Sequence, residues 1–141
     1  MRDKISLGFI IAATYNTFII VFSRGFSNSL GEIDPLFSGD GCIGILLWGA
    51  AYFSLAGRYQ VAPLAALVFA LEKAFYAIHW AVWMSKNANK LGSMLETDVL
   101  TGFFYSIYGA GDALFMCFFA WVAWSYRENF FGTIETKEKA N

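Results

Sequence analysis

Three features of the chain predict an all-α fold, a polytopic membrane protein built as a four-helix transmembrane bundle. Hydrophobic residues make up 57% of the 141 and charged residues only 15%, against about 25% charged in a soluble domain. The apolar residues gather into four runs, at about 5–22, 40–57, 61–84 and 101–124, each near the roughly 20 residues that a span requires. All but four of the charged residues lie outside these runs. A formal net charge of −1 lacks the basic face of a nucleic-acid binder, so the expected surroundings are the lipid bilayer and no nucleic acid.

The first run follows Met1-Arg2-Asp3-Lys4. It is longer than the core of a cleaved signal, holds Tyr15 and Asn16, and runs into Phe22-Ser23-Arg24 rather than a small-x-small site, so it reads as a retained first helix. The second, from Cys42 to Ala56, is short and is completed by Gly39, Gly41 and Gly57 into a thin or tilted span. The third and fourth qualify unaided. The outer loop 23–39 contains Gly25, Asn28, Gly31, Asp34, Pro35 and Ser38, a density of turn formers that argues against a further helix. Phe26, Leu30, Ile33, Leu36 and Phe37 predict that this loop folds back over the bundle as a cap. The chain thus divides into a four-span domain, 1–126, and a polar cytoplasmic tail, 127–141.

Basic residues set the expected orientation. Arg2, Lys4, Arg58, Arg127, Lys137 and Lys139 fall on one side, and Arg24, Lys86 and Lys90 on the other. Both termini are therefore expected in the cytoplasm, with the protein in a plasma membrane or bacterial inner membrane.

Three ionisable residues interrupt the apolar runs at their centres: Glu72 and Lys73 in the third, Asp112 in the fourth. A charge at the bilayer centre costs roughly 2.5–3.5 kcal/mol on insertion scales, so such groups are usually paired, inward-facing and functional. At 100° per residue, Ala62, Ala66, Ala70, Ala74, Ala77 and Ala81 form a small-residue stripe suited to close helix contact. Leu64, Leu67, Leu71, Phe75, Ile78 and Val82 form the lipid-facing flank. On the fourth run Asp112, Tyr108, Tyr105 and Thr101 share a face, and Gly109-Ala110-Gly111-Asp112 reads as tight packing around the acid. With these two helices antiparallel, Glu72 and Lys73 match Asp112, Tyr76 matches Tyr108 and His79 matches Tyr105. Asn16, Thr17, Trp48 and Tyr52 are available at similar depths.

Two carboxylates share one ammonium, which leaves one carboxylate for a proton or a cationic ligand. Lys73 leans toward the alanine stripe as the structural partner, and Glu72 toward His79 as the working group. The candidate ligand- or proton-binding set is Glu72, Lys73, Asp112, His79, Tyr76, Tyr105, Tyr108 and Asn16. His79 is the lone histidine and has no companion at metal-ligand spacing, so neither a metal nor another cofactor is expected. Cys42 and Cys117 lie at different depths and are not expected to pair. No nucleophile elbow, phosphate loop or dinucleotide fingerprint is found.

No family signature can be aligned. In size and layout the chain resembles the small multidrug transporters, which place an acid in their first helix where this chain has Thr14, Tyr15 and Asn16. In the types of its inner residues, Glu72, His79 and Asp112, it resembles the emopamil-binding class of sterol isomerases, which implies a lipophilic amine as ligand. The leading expectation is a buried charged and aromatic cavity that binds or transports a small hydrophobic or cationic ligand, or protons. One alternative is an accessory subunit that docks a larger membrane complex, or a homodimer, through its small-residue stripes. Another is a membrane-embedded isomerase or hydrolase with Glu72 and His79 as acid and base.

Overall fold

The computed structural model describes residues 2–131, and most of the expected tail, with Lys137 and Lys139, lies outside the described residues. Those residues are helical with short connecting turns, and no strand occurs among them. Six α-helices follow in order: α1 Arg2–Phe22, α2 Ser29–Ile33, α3 Gly39–Leu55, α4 Pro63–Asn87, α5 Leu91–Thr97 and α6 Val99–Ser125. Three helical stretches, Lys4–Ser27, Pro63–Thr97 and Val99–Ser125, are long and apolar enough to cross a membrane. The fourth apolar helix, α3, has 17 residues and a length of about 25 Å at 1.5 Å per residue, against a hydrocarbon core of about 30 Å.

Local chemistry sets the helix starts. Pro63 opens α4 at its first turn, where its missing N–H is not needed. Ser38 caps α3 by accepting from the Gly41 amide. Asp98 caps α6 by accepting from the amide of Thr101 at 3.3 Å and from its hydroxyl at 2.8 Å, which satisfies donors that the helix leaves open.

The outer loop corrects the sequence reading. It contains the short helix α2 and the 3₁₀ turns Gly25–Ser27 and Pro35–Phe37. The turn formers separate these pieces rather than prevent them: Asn28 adopts a left-handed conformation at φ 66°, which asparagine tolerates, and Asp34 caps the Pro35–Phe37 turn through the Leu36 amide at 3.0 Å. As a cap the loop behaves as the sequence suggests, since Leu30 and Phe37 are buried. Phe26 and Ile33 point outward instead.

Inward positions recur every three or four residues, the spacing of one helix face. On α6 they are Thr101, Tyr105, Tyr108, Asp112, Phe115, Phe119 and Val122; on α1 they are Ile5, Phe9, Ala12, Asn16 and Ile19. The opposite faces are apolar and bare, with Leu71, Ile78 and Leu114 each more than 60% exposed. Contiguous exposed apolar surface of this kind suits lipid rather than water. α4 packs most extensively against α6, and α1 against α3. The alanine stripe is buried at Ala66 and Ala70, but Ala81 is exposed.

Two aromatic clusters fill the interior. One joins Phe9, Tyr52, Tyr59, Phe69 and Phe119, and the other joins Phe37, Leu30, Phe104, Tyr105 and Tyr108. On α1, α4 and α6 the boundary between the clusters falls at Asn16, Lys73 and Asp112.

Candidate functional site

The boundary layer holds the polar residues that the sequence singles out. The Lys73 ammonium donates to Asp112 Oδ1 at 2.6 Å and to Asn16 Oδ1 at 2.8 Å. Asn16 in turn donates through Nδ2 to the Ile45 carbonyl at 3.0 Å. One lysine thus ties α1, α4 and α6, and Asn16 extends the tie to α3. Lys73, Asp112 and Asn16 are 2%, 5% and 1% exposed. The Tyr15 and Tyr52 rings lie 6.0 and 5.4 Å from the ammonium, within range of the attraction between a cation and a ring face.

Glu72 sits beside this network but outside it. Tyr52 donates its hydroxyl to Glu72 Oε2, while Glu72 Oε1 is buried without a hydrogen-bond partner. The Tyr108 hydroxyl is likewise buried and unpartnered. Both residues line a cavity of about 20 Å³, together with Tyr15, Asn16, Lys73, Tyr76 and Asp112. That volume holds one water molecule, which needs about 10–15 Å³ and several polar partners.

Helix packing delivers these groups through two glycines. A Cβ on Gly109 would run into the Trp80 ring, and one on Gly111 into Tyr15. Trp80 consequently lies against α6 and donates Nε1–H to the Tyr105 carbonyl at 2.8 Å. Tyr15 reaches across to donate to the Tyr108 carbonyl at 3.0 Å. The Gly-Ala-Gly-Asp stretch is close packing around Asp112, as the sequence suggests.

Toward the loop the arrangement departs from the expected ladder. Tyr105 donates to the Leu30 carbonyl at 3.0 Å rather than meeting His79, and its ring stacks on Trp83 at 4.5 Å. His79 Nε2 pairs with Asp34 Oδ2 at 2.5 Å. Glu72, which the sequence leans toward His79, bonds Tyr52 instead. Glu72 and His79 are seven positions apart on one helix, a rise of about 10.5 Å, and Asp34 from the loop reaches the imidazole first. Phe37 from the same loop closes the cavity, with ring centres 4.8 Å from Phe104 and 4.9 Å from Tyr108.

Of the eight candidate residues, Asn16, Glu72, Lys73, Tyr76, Tyr108 and Asp112 meet at the cavity, while His79 and Tyr105 belong to the loop contact above it. Thr17 bonds its own helix at the Ala13 carbonyl. Tyr15, Phe37 and Asp34 are the additions. Asp34 carried a weak signal, an acid directly before proline in the loop, and Tyr15 carried only its place beside Asn16. Cys42 and Cys117 are unpaired, the first buried and the second exposed. Among the described residues no group of metal-type ligands converges.

No family model, curated protein or solved structure matches the chain.

Proposed function

We propose that the protein is a four-span integral membrane protein, both termini cytoplasmic, whose buried charge layer takes up and releases a proton or small cation at Glu72. α3 serves as the fourth, thin span, and the excess of basic residues beside the termini supports the orientation in a plasma membrane or bacterial inner membrane. The observation that carries the functional reading is the pairing of two unsatisfied polar atoms, Glu72 Oε1 and the Tyr108 hydroxyl, at a cavity of one-water size. An unmade hydrogen bond at a buried group costs about 1–3 kcal/mol, so the site favours an occupant that completes it. Lys73 bonds Asp112 and Asn16 and not Glu72, which leaves Glu72 as the spare carboxylate.

The test is flux in liposomes that hold the purified full chain and a pH-sensitive dye. Wild type is expected to dissipate an imposed proton gradient and Glu72→Gln to lose that activity. Equal flux from both would end the proposal. A second reading has its own support: the Lys73 network, through Asn16, joins four helices and would serve as a register device in an accessory subunit. On that reading Glu72→Gln is silent and Lys73→Met abolishes assembly. An acid–base enzyme using Glu72 with His79 gains nothing from the geometry, because the two take different partners.

A further inference from the structure

An apolar groove of about 280 Å³ runs between the loop-side end of α1 and the start of α6. Phe18, Phe22 and Phe103 on its rim are each about half exposed, at 49%, 57% and 50%, on the face that meets lipid. Its inner wall is shared with the polar cavity: Tyr15, Ile19 and Phe104 line both spaces. A hydrocarbon-lined volume open to the bilayer therefore adjoins the cavity that Glu72 lines.

We infer that the site takes a single-chain amphiphile with a primary ammonium head, its tail in the α1/α6 groove and its head beside Glu72 and Tyr108. This rests on the reading of Glu72 as the spare carboxylate and names the class of cation. The polar cavity matches a head no larger than a water molecule, which an –NH₃⁺ group satisfies and a bulky head does not. Its three donors suit the two open acceptors, Glu72 Oε1 and the Tyr108 hydroxyl, and its charge balances the two carboxylates against Lys73. The tail needs an apolar volume near the lower end of ordinary ligand sites, about 300 Å³. Tyr15 is the gate, held by one hydrogen bond to the Tyr108 carbonyl.

The experiment uses the full chain in phosphatidylcholine nanodiscs with two photoreactive probes, dodecylamine and dodecanol, each with a mid-chain diazirine. Mass spectrometry maps the labelled residues. The amine is expected to label Phe18, Phe103 and Ile107 at least about tenfold more than the alcohol, a difference of about 1.4 kcal/mol. Glu72→Gln should remove that preference. Tyr108→Phe deletes only a hydroxyl and should reduce it, which keeps the test open if Glu72→Gln fails to fold. Ile107→Trp fills the groove and should block labelling by both probes. Equal labelling by amine and alcohol, or an amine preference unchanged in folded Glu72→Gln, overturns the inference. If proton flux still depends on Glu72 in that case, only the amphiphile is lost; if it does not, the underlying reading has failed as well.

Discussion

The two aromatic clusters on either side of the charge layer are closed in different ways. Around Phe9, Tyr52, Phe69 and Phe119 the walls are the four long helices and the α3–α4 turn, with Phe9 stacked on Tyr59 at 5.8 Å and Tyr59 against Tyr126 at 5.3 Å. Around Tyr105 and Tyr108 the closing residues, Leu30 and Phe37, come from the outer loop. The first cluster stays shut as long as the helices keep their register. The second stays shut only while a loop remains docked, and that docking rests on Phe37, the Asp34–His79 pair and the Tyr105 bond to Leu30. Segments with few anchoring contacts are the ones that open locally. The loop-side cluster is therefore expected to open more readily than the other.

Four substitutions or conditions test this contrast, taken from the largest effect downward. Lys73→Met strands Asp112 in the interior and should cost about 3–5 kcal/mol, the range for breaking a buried pair. Thermal unfolding in detergent measures it, and adding Asp112→Asn should recover part of the loss. Phe37→Ala should cost about 3 kcal/mol as a large-to-small core change and should also undock the loop. Cys42 reports the second effect, because its buried thiol donates toward the Gly25 and Phe37 carbonyls beneath that loop. In a Cys117→Ala background, Phe37→Ala should speed maleimide labelling of Cys42. Phe119→Ala, a comparable loss in the other cluster, should destabilise the protein without speeding the labelling, and equal acceleration by both would erase the distinction between the two ends.

His79→Ala removes the pair with Asp34 and should speed Cys42 labelling less than Phe37→Ala does, with a stability loss of about 1 kcal/mol, reduced because the imidazole is 35% exposed. The smallest effect concerns Asp98. The Thr101 hydroxyl and amide hold its carboxyl below the usual range, with a minor contribution from Arg24 at 3.4 Å. A carboxylate lowered in the folded state stabilises above its unfolded value, near 3.9, and that stabilisation fades as pH falls through the lower folded value. Hydrogen-exchange protection factors at residues 99–102 should fall below about pH 4, and Asp98→Ala should show the lower protection already at neutral pH.

Much of this architecture is legible in the residues themselves. Hydrophobic runs reveal the long helices, and a helical projection puts Leu71, Ile78 and Leu114 outside and Asp112, Tyr105 and Tyr108 inside. Antiparallel depth matching sets both Glu72 and Lys73 level with Asp112, and the structure gives the pairing to Lys73. What escapes is the partner of each inward group once loops are free to contribute. His79 has Tyr105 at the same depth, yet Asp34 claims it from a loop whose path no periodicity encodes. Glu72 and Lys73 are neighbours in sequence, but the 100° between them sends Lys73 to Asp112 and Asn16 and Glu72 to Tyr52. Tyr15 escapes for a subtler reason, since its reach depends on the missing side chain at Gly111.

On the proposed division of roles, Lys73 and Asp112 hold the bundle together while Glu72 exchanges its proton or cation. Infrared difference spectroscopy of the carboxyl stretch across a pH series tests it directly, on wild type, Glu72→Gln and Asp112→Asn. One buried carboxyl is expected to titrate in wild type, to vanish in Glu72→Gln and to persist in Asp112→Asn. A titrating band that survives Glu72→Gln, or one lost only in Asp112→Asn, would contradict it.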